Sequence, residues 1–409
     1  MKIEPKTLKG FRDFLPKEAR KRQYVIDKLR SVFESYGFEP LETPALEYAE
    51  ILEGKYGEEG ERLMYKFEDK GGRKVALRYD QTVPLARIVA QYSNGISLPF
   101  KRYQIQNVWR GENPQAGRFR EFLQCDIDTV GTSSLLADAE IIEIAISSLE
   151  ALGFKGFKVL INDRKVFSGL IEDSNKLPTI VRTIDKLKKN GQEKVIDEIV
   201  SAGIEKELAE KILQTLETQK PTDNINRLFD YLSALGISEG NFEFAPFLAR
   251  GLDYYTSTIF EIEIEGYEAG SVCGGGRYDD LIGMFGGKQI PAVGCSFGFD
   301  RVIEAMDTLS LFPQDLQTTR ILVTVFSPEL LNKSIETCEI LNKSNISCEL
   351  YVDPNAKMDR QLKYADQKGI SYVVIVGPKE AETNSVTVKD LRTSEQRTIP
   401  LDQLPTAIR

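Results

Sequence analysis

Residues 100–112 read FKRYQIQNVWRGE and residues 117–131 read GRFREFLQCDIDTVG. Both runs are strand-like, and the loop from Asn113 to Gly117 between them makes the pair an antiparallel hairpin with a long tip. Period two sorts the return strand. Phe119, Leu123, Cys125 and Ile127 share one face, while Arg118, Arg120, Phe122, Gln124, Asp126 and Asp128 share the other. On the outgoing strand Arg110 lies opposite Tyr103, Ile105 and Trp109, where it is able to point across at that polar row. A polar outer face is common on antiparallel sheets, but solvation alone gives no use for a ring among arginines, glutamine and carboxylates. Arginine suits bidentate contact with phosphate, a ring suits stacking on a base, and carboxylates suit hydrogen-bond donors. The face therefore fits a nucleotide together with a small cationic or polar ligand.

Working outward, residues 248–262 read LARGLDYYTSTIFEI and residues 273–283 read CGGGRYDDLIG. An arginine beside a glycine, a tyrosine pair and a β-branched run describe a strand that carries a charged group to a crowded polar site. Gly274, Gly275 and Gly276 permit conformations and close approaches that a Cβ would obstruct, so Arg277 and Tyr278 are placed to sit against a ligand. The same residues, read locally, also describe a strand with aromatic packing and a flexible turn. Residues 292–305, AVGCSFGFDRVIEA, give a short strand, glycines and a helix with Arg301 near its start.

Upstream, Lys17 to Tyr36 has a helical stripe of Val25, Leu29, Val32, Phe33 and Tyr36. The following FEPLETPAL, with Pro40 and Pro44, suits an edge strand. Arg73 to Tyr79 reads as a strand and Thr82 to Gln91 as a helix with Pro84 in its first turn. Asp80 or Thr82 serves as its N-cap, and a spare carboxylate at a helix start also suits an ammonium group. From about 164 to 237 the text turns lysine-rich and helical, as in DKLKKNGQEK and GIEKELAEKILQ. After a polar linker from Leu309 to Thr319, ILVTVF, CELYVD, YVVIVG and SVTVKDL alternate with helical stretches, as in a small α/β domain with a mostly parallel sheet.

The totals bound the function. A chain of 409 residues holds two or three domains, and a net charge of -9 excludes a protein that coats nucleic acid by bulk attraction, leaving local patches for any RNA contact. The chain has no histidine, which excludes His-based triads and zinc sites. Its five cysteines (Cys125, Cys273, Cys295, Cys338, Cys348) lack paired metal spacing, and no apolar span precedes them. The simplest expectation is a reduced, soluble, cytoplasmic protein.

The blocks at 248–262 and 273–283 resemble the two signature blocks of histidyl-tRNA synthetases. The helix and strand at 17–46, the hairpin at 100–131 and the segment at 292–305 resemble motifs 1, 2 and 3 of class II synthetases. The resemblance implies an α+β catalytic domain built on an antiparallel sheet over residues 1–320, with a helical insertion at about 164–237 that clamps the tRNA acceptor stem. It further implies a C-terminal α/β anticodon-binding domain over 321–409, and a homodimer. The implied activity joins L-histidine to tRNA(His) using ATP and Mg2+, with no metal site of the protein's own.

Residue by residue, the resemblance implies that Arg110 and Arg250 act catalytically on the α-phosphate and the carboxylate, and that Asp80 and Thr82 hold the α-amino group. Glu112 and Phe122 fall on adenine, Arg118 on the γ-phosphate and Arg301 on the ATP. Gln124 and Asp128 fall on the histidine, with Tyr254, Tyr255 and Tyr278 beside the imidazole, and Gln115 at the tRNA acceptor end. Asp128 stands where many members have Glu, and Asn113 where bacterial members commonly have Arg. Two rival classes are a histidine-binding regulatory paralogue of a biosynthetic phosphoribosyltransferase and a sensor of uncharged tRNA with a decayed site. The intact Arg110, Arg118, Arg250 and Arg301 speak against the second, and the 248–262 block with a C-terminal domain against the first.

Overall fold

The structure is a computed structural model that describes residues 3–53, 63–113, 119–168, 170, 176–250, 254–314, 316 and 319–408. The chain forms two compact units, Met1–Phe312 and Pro313–Arg409.

The first unit is organised by an eight-stranded sheet. In chain order its strands are β1 (Glu39–Pro40), β5 (Phe100–Trp109), β6 (Glu121–Val130), β7 (Phe157–Asp163), β8 (Phe242–Phe244), β9 (Thr258–Ile264), β10 (Cys273–Arg277) and β11 (Ala292–Phe297). Their spatial order is β1-β5-β6-β11-β10-β9-β7-β8. The interior pairings are antiparallel, and the two edge pairings, β1 with β5 and β7 with β8, are parallel. Pro40 lies on an edge strand, where its missing N–H breaks no central ladder. Three further strands, β2 (Leu46–Tyr48), β3 (Lys66–Glu68) and β4 (Lys74–Leu77), form a small separate sheet.

Alternation decides which face of the large sheet is the core. Tyr103, Cys125, Ile127, Phe260, Ile262, Val293 and Phe297 point to one side, where they join a single apolar cluster with four helices: Pro16–Ser35, Leu135–Ala151, Asp223–Ala234 and Phe299–Thr308. Pro16 starts the first of these, where a missing N–H costs nothing, and Gly37 follows its end at φ +76. With helices covering one face, the alternate residues line the other. The site lies there.

The lysine-rich text separates into two parts. Helices Leu177–Ile184, Gln192–Ser201 and Lys206–Glu217 close on their own core of Ile180, Ile184, Val195, Ile199, Ile212 and Leu216, which also takes in Phe167 and Ala249. The helix Asp223–Ala234 instead buries Ile225, Leu228 and Leu232 in the main core. Helical text alone carries no sign of which core a helix serves.

In the second unit the strands β12 (Ile321–Val323), β13 (Cys348–Leu350), β14 (Tyr372–Ile375), β15 (Ser385–Asp390) and β16 (Gln396–Pro400) lie in the order β13-β12-β14-β15-β16. The sheet is mixed rather than mostly parallel: β13-β12-β14 are parallel, and β14-β15 and β15-β16 are antiparallel. The connections after β14 and β15 are shorter than the dozen or so residues that a parallel crossover needs. Among the described residues no helix is long and apolar enough to cross a membrane.

Candidate active site

The registers of the large sheet lay out its open face in rungs. One rung runs Arg102, Asp128, Gly294, Gly276 across β5, β6, β11 and β10. The next runs Gln104, Asp126, Ser296, Gly274, Glu261 and reaches β9. A third pairs Gln106 with Gln124. Hydrophobic alternation in the strands thus delivers polar groups and gaps to one surface.

The glycines are the gaps. A Cβ at Gly274 would overlap the Arg250 guanidinium and lie 2.7 Å from its Cζ. At Gly294 it would overlap the Asp128 carboxylate, and at Gly276 it would lie 2.8 Å from Tyr255 Cδ1. None of the three has a positive φ. The triplet is ordinary strand whose missing side chains leave room for others, so close approach and not conformational freedom is its use.

Arg277 departs from the sequence expectation. It shares the core-side parity of Cys273 and Gly275, and its Nε lies 3.1 and 3.2 Å from the Asp138 carboxylate oxygens within a fully buried pair. Nη1 and Nη2 add bonds to the carbonyls of Thr132 and Ser134, which fasten the start of the Leu135–Ala151 helix to β10. Arg277 is therefore a structural clamp and does not line the cavity. Arg277→Ala leaves Asp138 buried without its cation, so urea denaturation should show a loss of about 3–5 kcal/mol. Stability within 1 kcal/mol of the parent would contradict the clamp. Arg120 also leaves the polar row: its Nε donates to the Glu112 carbonyl at 2.9 Å, and its aliphatic stem packs on Gly10.

A cavity of about 510 Å³ gathers the remaining residues. Asp80, Thr82, Arg110, Glu112, Phe122, Gln124, Asp128, Arg250, Tyr254, Tyr255, Tyr278 and Arg301 all line it. Arg118 and Gln115 lie outside the described residues. Arg110 donates from Nε to the Tyr79 carbonyl at 3.2 Å and holds its Cζ 5.0 Å from the centre of the Phe122 ring, which leaves the rest of its fork toward the cavity. Asp80 accepts from the Val83 amide at 3.2 Å, and so serves the start of the Thr82–Gln91 helix while lining the cavity. Arg301 is tethered from Nη1 to the Ser271 carbonyl at 3.0 Å.

Arg250 is held at φ +51, a region that non-glycine side chains enter at a cost of about 1–3 kcal/mol. Two side chains at the end of β7 pin that backbone. Asn162 Nδ2 donates to the carbonyls of Pro246 and Leu248 at 3.0 and 2.9 Å, and Arg164 Nη1 to those of Ala249 and Arg250 at 3.1 Å each. The guanidinium then lies over Gly274, 3.2 Å from the Phe260 carbonyl and 3.3 Å from Glu261 Oε1.

Beside Arg250, whose Cζ lies 5.6 Å from the centre of the Tyr255 ring, Tyr254 packs on Tyr255, with centroids 4.5 Å apart, and edge-on against Tyr278 at 5.6 Å. The Tyr278 hydroxyl donates to Asp128. Burial pushes the phenols of Tyr255 and Tyr278 above their usual range, so both remain neutral donors at physiological pH. Asp126 and Arg102 were not among the site residues expected from sequence. Asp126 lines the cavity and accepts from Gln124 Nε2 at 2.8 Å, and burial pushes its carboxyl up to about 7. The sequence signal for both was the register: Arg102, Gln104 and Gln106 share the parity of the polar row opposite. Among the described residues no group of three or more Cys, Asp or Glu is placed to hold a metal ion.

An antiparallel sheet with one face under helices and the other gathering arginines, a stacking ring and a polar pocket, followed by a separate α/β unit, defines a class II aminoacyl-tRNA synthetase. A family profile for histidyl-tRNA synthetase matches residues 10–302, and one for an anticodon binding domain matches residues 320–409. The chain belongs to the histidyl-tRNA synthetase family. It is 39% identical to a histidine–tRNA ligase of Rhodopirellula baltica, over 97% of this chain and 96% of the relative. It is 40% identical to one of Aeropyrum pernix, over 99% and 98%. The crystal structure of histidyl-tRNA synthetase from Nostoc superposes with a TM-score of 0.86 at 32% identity, covering 100% of this chain and 99% of the other.

Proposed function

We propose that this chain is a histidine–tRNA ligase that activates L-histidine with ATP and transfers it to the 3′ end of tRNA(His). The observation that carries this reading is that Arg110 and Arg250, 140 positions apart in the sequence, line one cavity with Asp128 and three tyrosines. In the first step an oxygen of the histidine carboxylate forms a bond to the α-phosphorus of ATP as the bond to pyrophosphate breaks. The nucleophile is already ionised, so no side-chain base is needed, and charge stabilisation with in-line placement supplies the rate. In the second step a terminal ribose hydroxyl attacks the mixed anhydride and AMP leaves.

Arg110 and Arg250 neutralise the α-phosphate. Phe122 and Glu112 take the adenine, and Arg118 and Arg301 take the remainder of the nucleotide. Asp80 and Thr82 hold the α-amino group, and Gln124, Asp128 and the tyrosines hold the imidazole. Magnesium enters on the phosphates of the nucleotide. The helical insertion, Gln115 and the C-terminal unit contact the tRNA, and the active species is a cytoplasmic homodimer.

Pyrophosphate exchange with each of the twenty amino acids tests the reading. Histidine alone should support exchange, with rejection of side chains lacking matched donors by about 10⁴–10⁵. Exchange with another amino acid at a comparable rate, or with none, would overturn it. The latter result is what the regulatory-paralogue reading expects.

A further inference from the structure

Arg102 is wholly buried, 0% exposed, beside Asp128 on the neighbouring strand, and none of the roles above uses it. Its Nη2 lies 2.7 Å from Asp128 Oδ2, and its Nη1 donates to Gln104 Oε1 at 3.3 Å. We propose that Arg102 is a positioning residue that fixes the charge and orientation of Asp128, and through it the preference of the amino-acid subsite for an imidazole side chain. The inference rests on Asp128 being the partner of the imidazole.

Three observations carry it. First, a buried guanidinium and carboxylate gain little stability over an apolar pair of the same volume, so their retention at the floor of a binding cavity calls for a functional reason. Second, both oxygens of Asp128 are engaged: Oδ1 accepts from the Tyr278 hydroxyl, and Oδ2 lies in ion-pair contact with Arg102 without the geometry of a hydrogen bond, the carboxylate filling the space left by Gly294. A carboxylate engaged at both oxygens keeps one orientation toward an incoming N–H. Third, the titratable and charged groups around Asp128 are Arg102 on β5, Asp126 on β6, Cys295 on the core side of β11, and Tyr255 and Tyr278. Arg102 is the cation of that set. Its attraction also opposes the upward push of burial on Asp126.

The test compares Arg102→Met, Arg102→Lys and Asp128→Asn, reading KM for histidine, KM for ATP, kcat of pyrophosphate exchange from pH 6 to 9, and melting temperature. Arg102→Met should raise KM for histidine at least tenfold and leave KM for ATP within twofold. The rise should steepen as pH falls, because carboxylates that lose a neighbouring cation take up protons at higher pH. Arg102→Lys keeps the charge and loses the fork, so it should raise KM for histidine less and without the added pH dependence. A folded Arg102→Met enzyme with parental KM for histidine across the range, or with KM for ATP raised equally, would overturn the proposal. Should Arg102→Met fail to fold, an unchanged KM for histidine in Arg102→Lys overturns it instead. An unchanged KM in Asp128→Asn would strike the underlying assignment of Asp128, which separates that failure from a failure of Arg102 alone.

Discussion

Arg250→Ala should slow histidine-dependent pyrophosphate exchange by about 10²- to 10³-fold, or roughly 2.7–4 kcal/mol of transition-state stabilisation, and change KM for histidine far less. The reason is where the guanidinium is fixed before any substrate arrives. Its backbone is held at φ +51 by donors from Asn162 and Arg164, and its head group is anchored on the Phe260 carbonyl and Glu261. A charge already held in place needs no reorganisation when negative charge builds on the α-phosphate, and that is the condition under which a single donor contributes most. Exchange rates equal to the parent, measured at saturating ATP and histidine, would remove Arg250 from the mechanism.

Gly274→Ala should reproduce part of that loss with Arg250 itself still present. The added methyl overlaps the Arg250 guanidinium, which is the movable end of a long side chain, so the side chain yields and the strand does not. Exchange should fall by about tenfold or more, and the melting temperature should move by a few degrees at most. Gly275→Ala is the contrast: its methyl meets the Gly294 carbonyl and the Cys295 backbone, which cannot swing aside, and so it should destabilise the sheet itself. If Gly274→Ala were as active as the parent, Arg250 could not be working from the position it occupies here.

Much of this was legible in the chain. The parity of Phe122, Gln124 and Asp128 in β6 puts them on one face from the sequence alone, since a strand alternates between bulges, and all three line the cavity. The helix starts expected at Lys17 and Thr82 fall at Pro16 and Thr82 in the structure, because a proline in the first turn constrains the backbone locally. Arg277 departs from the sequence expectation because its neighbour Tyr278 lines the cavity while its own parity in β10 sends it to Asp138. Arg102 was passed over because its value depends on Asp128 lying beside it across the hairpin, and a single strand does not carry that.

The sequence by itself determined the long hairpin of β5 and β6, the parity of its return strand, the helices beginning near Pro16 and at Thr82 and the identity of the groups available for chemistry, because these follow from local sterics and from the period of apolar residues. Only the tertiary structure decided that Arg250 fills the space over Gly274, that Arg102 pairs with Asp128, and that Asp223–Ala234 joins the main core. Those outcomes depend on register between strands far apart in the chain and on which buried charge finds which partner. Both are settled by packing and desolvation over the whole sheet.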